Sequence, residues 1–172
     1  MNTILFPANL AKLGLKRRIA EPNADLITVA LTPYPVLARY KILCLRLGVP
    51  PFTGGTYEKQ GSDFGVGFLT SGFRDSDRNS PHEYGFAIDM AVGDLDAQIR
   101  AGRLGLDLFD RIGLYPENGF VHLDLAPPEW IEKFNGKHFW VKNKRKLRES
   151  NGREYVGFDN FELAVQFARD HF

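Results

Sequence analysis

The chain has 172 residues, of which 44% are hydrophobic, 25% charged and 13% aromatic, enough to bury one sizeable core and to make one domain the default expectation. Lys and Arg number 22 against 21 Asp and Glu, and the net charge of +1 gives no global attraction to nucleic acid or an anionic membrane. A single cysteine, Cys44, excludes an intramolecular disulfide framework and any cysteine-rich zinc module, so a bound metal must be held by histidines and carboxylates.

Residues 1–31 show no clean period and contain Pro7 and Pro22; they read as an N-terminal arm with one short helix around Ala8–Ile19. No run approaches the ~20 apolar residues that span a bilayer. Lys16, Arg17 and Arg18 follow the apolar part of this arm instead of preceding it, the reverse of a secretory signal. A soluble product that accumulates in the cytoplasm is the expectation. Thr32 is a good N-cap with Pro33 at the first helical position, and Val36, Leu37, Tyr40, Leu43, Cys44 and Leu47 then form one apolar stripe. Gly48 and Pro50 stop that helix. Cys44 lies on the stripe and is expected as a buried structural thiol.

Pro50 to Gly67 is glycine-rich but lacks the Gly-Lys-Ser/Thr ending of a phosphate loop, and reads as an irregular connection. Strands are expected over 66–71 and 85–91. Asp94 can cap a helix bearing Leu95, Ile99, Leu106, Phe109 and Ile112, which Gly102 and Gly105 are expected to split into two. A turn with Pro116 and Gly119 leads to a strand, Phe120–Leu125, whose alternation places Phe120, His122 and Asp124 on one face. The C-terminal part predicts a hairpin, 137–149 and 153–158, turned at Asn151-Gly152. A last helix follows, with Asp159 and Glu162 as a capping box and Phe161, Ala164, Val165 and Ala168 as its apolar face. Lys137, Lys142, Lys144, Arg145, Lys146 and Arg148 cluster in the hairpin. They read first as a solvated strand edge, with an arm for anionic wall polymers, a virion protein or nucleic acid as the alternative; the balanced total charge makes nucleic acid the weakest of these. Trp140 and Phe139 beside them serve equally as hairpin anchors or as stacking surfaces. The domain reading is an arm at 1–31, a core at 32–136, and a hairpin-helix extension of the same domain at 137–172.

Chemistry concentrates in two segments, Ser80-Pro-His-Glu-Tyr-Gly-Phe-Ala-Ile-Asp89 and Phe120-Val-His-Leu-Asp124. Zinc takes imidazole nitrogen and carboxylate oxygen, and a catalytic zinc keeps three protein ligands and one open position. His82, Asp89 and His122 meet that requirement, with Gly85 as the turn that lets the first segment fold back. Asp124 reads as a partner that orients a ligand imidazole, or as a capping group at the strand end, rather than as the base. His138 and His171 have no matching partners and read as structural or exposed.

The order Ser71-Gly-Phe-Arg74, Ser80-x-His82-x-x-Gly85-x-Ala87-x-Asp89, Gly113-x-Tyr115 and Phe120-Val-His122-x-Asp124 resembles the zinc D-alanyl-D-alanine peptidases and related phage endopeptidases that cut peptidoglycan stem peptides. The resemblance covers roughly residues 33–130. It implies an α+β fold, a small antiparallel sheet with flanking helices holding one Zn2+ on His82, Asp89 and His122. It implies for Arg74 substrate binding and stabilisation of the charge that develops on the scissile carbonyl. The general base departs from the pattern. Many members of that family place Asp or Glu three residues before the second zinc histidine, where this chain has Gly119, leaving Glu117 and Glu83 as candidates. The functional expectation is zinc-dependent hydrolysis of a peptidoglycan peptide bond, in carboxypeptidase or endopeptidase mode, by a lysin-type or virion-associated enzyme. The alternative is a non-catalytic structural or virion protein on the same fold.

Overall fold

The computed structural model describes residues 34–49, 69–71, 81–125, 136–143 and 154–172. Among them three helices and a six-stranded sheet form the expected α+β arrangement. Helix α1, Tyr34–Leu47, buries Val36, Tyr40, Leu43 and Cys44 along its stripe. It ends at Gly48, whose φ of 73° suits a residue without a Cβ, with the Val49 amide donating to the Cys44 carbonyl at 3.0 Å. The expected cap at Thr32 and Pro33, the 1–31 arm and the whole glycine-rich loop at 50–67 lie outside the described residues. Burial pushes the Cys44 thiol up, against a hydrogen bond with Tyr40 that lowers it, so this cysteine is the inert core thiol its position implied.

Strand β1, Leu69–Ser71, precedes a 3-10 turn at Pro81–Tyr84 and strand β2, Ala87–Ala91. Helix α2, Leu95–Gly105, is capped by Asp94, whose carboxylate accepts from the Ala97 amide at 2.9 Å. The expected pair of helices is one helix. Gly102 does not break it; a Cβ there would lie 2.3 Å from Phe161 Cζ, so the glycine makes room for a neighbouring ring. Beyond Gly105 the chain turns and enters strand β3, Arg111–Tyr115. Ile112, expected on a helix, therefore lies on a strand. Leu106, Phe109 and Ile112 keep a spacing of three by coincidence, while Ile112 and Leu114 alternate as a strand requires, and pairing with the next strand decides between the two periods.

That next strand is β4, Phe120–Asp124, followed by β5, Phe139–Lys142, and β6, Tyr155–Phe158. The spatial order is β1-β2-β4-β3-β5-β6. All neighbours are antiparallel, as expected, except β3 and β5, whose parallel pairing makes the sheet mixed. Strand β4 finishes at the end where β3 begins, and the chain re-enters beside β3 running the same way. The turn at Asn151-Gly152 lies outside the described residues, but β5 and β6 pair antiparallel as the hairpin pattern predicted. Helix α3, Phe161–His171, buries Phe161, Ala164, Val165 and Ala168. Its cap is Asn160, which accepts from the Glu162 amide at 2.7 Å, whereas Asp159 pairs with Lys137 Nζ at 2.6 Å.

Register decides what each face of the sheet carries. Ile88, Leu123 and Ile112 form one row and Met90, Val121, Leu114 and Val141 the next. All are fully buried and join residues of the three helices in one apolar core. Helix α2 packs on β3 and β4, α3 on β5 and β6, and α1 on α2. Exposed ion pairs link the helices, Arg46 of α1 with Asp107 in the turn after α2, Arg103 with Glu162 at 2.6 Å, and Arg169 with Asp96 at 3.1 Å; solvent screening leaves such surface pairs little weight beside the apolar core. On the opposite face the rows read Ala87, Asp124, Arg111 and then Asp89, His122, Gly113, Trp140. No helix of the described residues is long and apolar enough to cross a membrane.

Candidate metal centre

His122 and Asp89 are cross-strand partners on β4 and β2, so pairing alone brings an imidazole and a carboxylate together. His82 arrives from the 3-10 turn. The Gly85 amide closes that turn on the His82 carbonyl at 3.1 Å, and the φ of 71° at Gly85 is what lets the chain reverse into β2. All three side chains are buried.

Their donor atoms converge. His122 Nδ1 lies 2.9 Å from Asp89 Oδ1 and 3.1 Å from His82 Nε2, and His82 Nε2 lies 3.4 Å from the same Asp89 oxygen. A tetrahedral zinc with bonds of about 2.0–2.1 Å separates its ligand atoms by about 3.3 Å, so the triangle matches a zinc site within a few tenths of an ångström. The donor set, two imidazoles and one carboxylate, is also that of a zinc ion with one position open. The metal-free protein must place at least one proton among these three acceptors. Burial opposes a charged imidazole, but hydrogen bonds and charges from Asp124 and Asp89 outweigh it and hold His122 above its ordinary value.

Behind His122 the polar chain continues. Its Nε2 lies 3.0 Å from Asp124 Oδ2, and Asp124, fully buried, is gripped by Arg111 through Nε at 3.0 and 3.1 Å and Nη2 at 2.7 Å. Burial pushes the Asp124 carboxyl upward, but His122 and Arg111 prevail and keep it below the usual carboxylate range. Asp124 thus orients the His122 imidazole, one of the three candidate metal donors.

No family model, curated protein or solved structure matches the chain. What the fold and the cluster establish is a buried His82, Asp89 and His122 set able to hold one divalent metal on an α+β scaffold.

Arg74 lies outside the described residues, as does the side chain of Glu83, whose backbone belongs to the 3-10 turn. Glu117 stands on the exposed β3–β4 turn. Gly119, where relatives of the resembled family carry the acid, has a φ of 72° and its carbonyl accepts from the Val92 and Gly93 amides; a carboxylate side chain there is conformationally disfavoured. His138 and His171 each bond a backbone carbonyl, of Asp110 at 3.0 Å and Phe167 at 2.8 Å, in agreement with a structural reading. Sequence reasoning missed two residues around the centre. Arg111 was hidden in a segment expected to be helical, and Trp140 was left between anchoring and stacking. Its ring lies 5.0 Å from that of His122. Of the basic cluster, Lys142 pairs with Glu154 at 3.2 Å and stands 5.4 Å from the rings of Tyr115 and Tyr155, and residues 144–148 lie outside the described residues.

Proposed function

We propose that this protein is a zinc-dependent peptidase that hydrolyses a peptide bond in peptidoglycan stem peptides, as a D-Ala-D-Ala carboxypeptidase or a lysin-type endopeptidase. The convergence of His82, Asp89 and His122 at 2.9–3.4 Å, buried and with the donor set of a catalytic zinc, carries the reading. The motif order from Arg74 to Asp124 supplies the substrate class. When bound, zinc supplies Lewis acidity toward a carbonyl oxygen and toward water. His82, Asp89 and His122 would hold it; Arg74 would bind the substrate and face the charge that develops on the scissile carbonyl; Glu83 or Glu117 would accept the proton given up by the attacking water. In this reading residues 32–136 form the catalytic core, 137–172 an extension that brings Trp140 beside His122, and 1–31 an arm. The setting is a phage-encoded lysin or a virion-associated enzyme, with peptidoglycan as its partner.

A second reading has one observation in its favour. Gly119 is a left-handed turn residue where the resembled family keeps a carboxylate, which favours a structural or virion protein that retains zinc as a staple. Zinc analysis paired with cleavage of purified muropeptides separates the two. One equivalent of zinc and cleavage lost in His122→Ala supports the enzyme. Zinc without cleavage supports the staple, and a chain that takes up no zinc refutes both.

A further inference from the structure

Resting on the metal reading above, we propose that Arg111 and Trp140 are positioning residues that fix His122 with Nδ1, and not Nε2, turned toward the metal. An imidazole can offer either nitrogen, and its ring rotation is soft. A carboxylate only accepts hydrogen bonds, and both His122 nitrogens face one, Nε2 at 3.0 Å from Asp124 Oδ2 and Nδ1 at 2.9 Å from Asp89 Oδ1; the Arg111-held Asp124 keeps the hydrogen on Nε2, so Nδ1, beside Asp89 and His82, is the nitrogen free to exchange its proton for a metal. The aim of Oδ2 is set in turn by Arg111. The two residues are cross-strand partners, and the guanidinium meets both carboxylate oxygens in a planar fork that leaves Asp124 one orientation.

Trp140 closes the other side. It is the register partner of Gly113, itself the partner of His122. A Cβ at Gly113 would lie 2.3 Å from Trp140 Cε2, so the indole fills the space a side chain would take. From there its ring reaches His122 and stands 5.3 Å from the Arg111 guanidinium carbon, covering the ion pair and blocking the imidazole from turning. The C-terminal hairpin therefore belongs to the metal centre through β5.

A purely structural ion pair would affect folding and leave metal ligation unchanged. The probe is Co2+ alone, added to the full metal-free chain, with its visible absorption and affinity as readouts. Arg111→Met alone strands a buried carboxylate, so the double variant Arg111→Met, Asp124→Leu removes both charges together, and Trp140→Leu tests the indole separately. The expected result is Co2+ binding weakened about 10- to 100-fold with an altered visible band, while cooperative melting of the metal-free variants persists. Wild-type affinity and band shape in both variants overturn the positioning role. If the double variant does not fold, Trp140→Leu alone decides: unchanged affinity and band overturn the proposal. Failure of the metal reading is distinct, because the wild-type chain then takes no Co2+ or takes it equally well as His122→Ala.

Discussion

Replacing Gly113 by Ala sets two effects against each other. In a strand interior, alanine gains about 0.5–1 kcal/mol over glycine through the unfolded chain. Against this, the new Cβ would meet three indole atoms of Trp140, at 2.3, 2.5 and 2.5 Å, where ordinary contact begins at 3.4 Å. The ring must lift by roughly 1 Å, and overpacking of this kind costs about 1–3 kcal/mol. Trp140 is only half-buried and can move outward, which holds the cost to the lower part of that range. The net destabilisation is then about 1 kcal/mol, or about 2–4 °C in melting temperature for a domain of this size. Metal affinity responds more strongly, because the lifted indole no longer covers His122; a tenfold loss corresponds to about 1.4 kcal/mol. Urea melting of the metal-free chain, tryptophan emission and zinc competition with a chelating dye measure the three consequences. A Gly113→Ala variant that is more stable than wild type, with unchanged emission and zinc affinity, would refute the reasoning.

Acidity separates the metal-free from the metal-bound protein. His122 is raised above 6.5 in the folded metal-free chain, so its contribution to stability is complete below that value and lost as pH rises through the folded pKa. Zinc requires the unprotonated Nδ1, so the increase in melting temperature on adding zinc is expected to grow from pH 6 to 8; an increment independent of pH contradicts the assignment. Gly102→Ala, far from the cluster, places a Cβ 2.3 Å from the buried Phe161 ring. It should lower stability by about 1–2 kcal/mol after its gain of about 1 kcal/mol in helix propensity, with no change in zinc affinity; a stabilised variant would show that the ring yields freely. Asp94→Ala removes the α2 cap and should cost about 1 kcal/mol in urea melting, and a neutral result would mean that its hydrogen bond to Ala97 is idle. Glu83→Gln and Glu117→Gln compare the two candidate proton acceptors. Muropeptide turnover should fall about 100-fold or more for one of them with zinc content intact, and equal retention of turnover excludes both.

The clustering of His82, Asp89 and His122 was legible because its spacing is short-range: His82 and Asp89 flank one glycine turn, and His122 and Asp124 alternate on one strand. Helix α1 was legible in its stripe and its glycine stop, and α3 in its apolar face. Strand β3 was not, since Leu106, Phe109 and Ile112 imitate a helical period and only pairing with β4 shows that Arg111 faces Asp124. Nor does local sequence reveal that Trp140 lies beside Gly113, because the parallel join of β3 and β5 is a long-range event with no turn to announce it. The cap of α3 moved by one residue, from Asp159 to Asn160, because Lys137 takes the Asp159 carboxylate.

The β3–β5 join also imposes an order on biosynthesis. A chain still emerging from the ribosome has its three candidate metal donors in hand once residue 122 is out, yet the wall beside them arrives only with residues 139–142 and the strand that braces them. Metal captured by the nascent chain would sit in an unwalled nook, free to exchange, and would be locked in only when the tail docks.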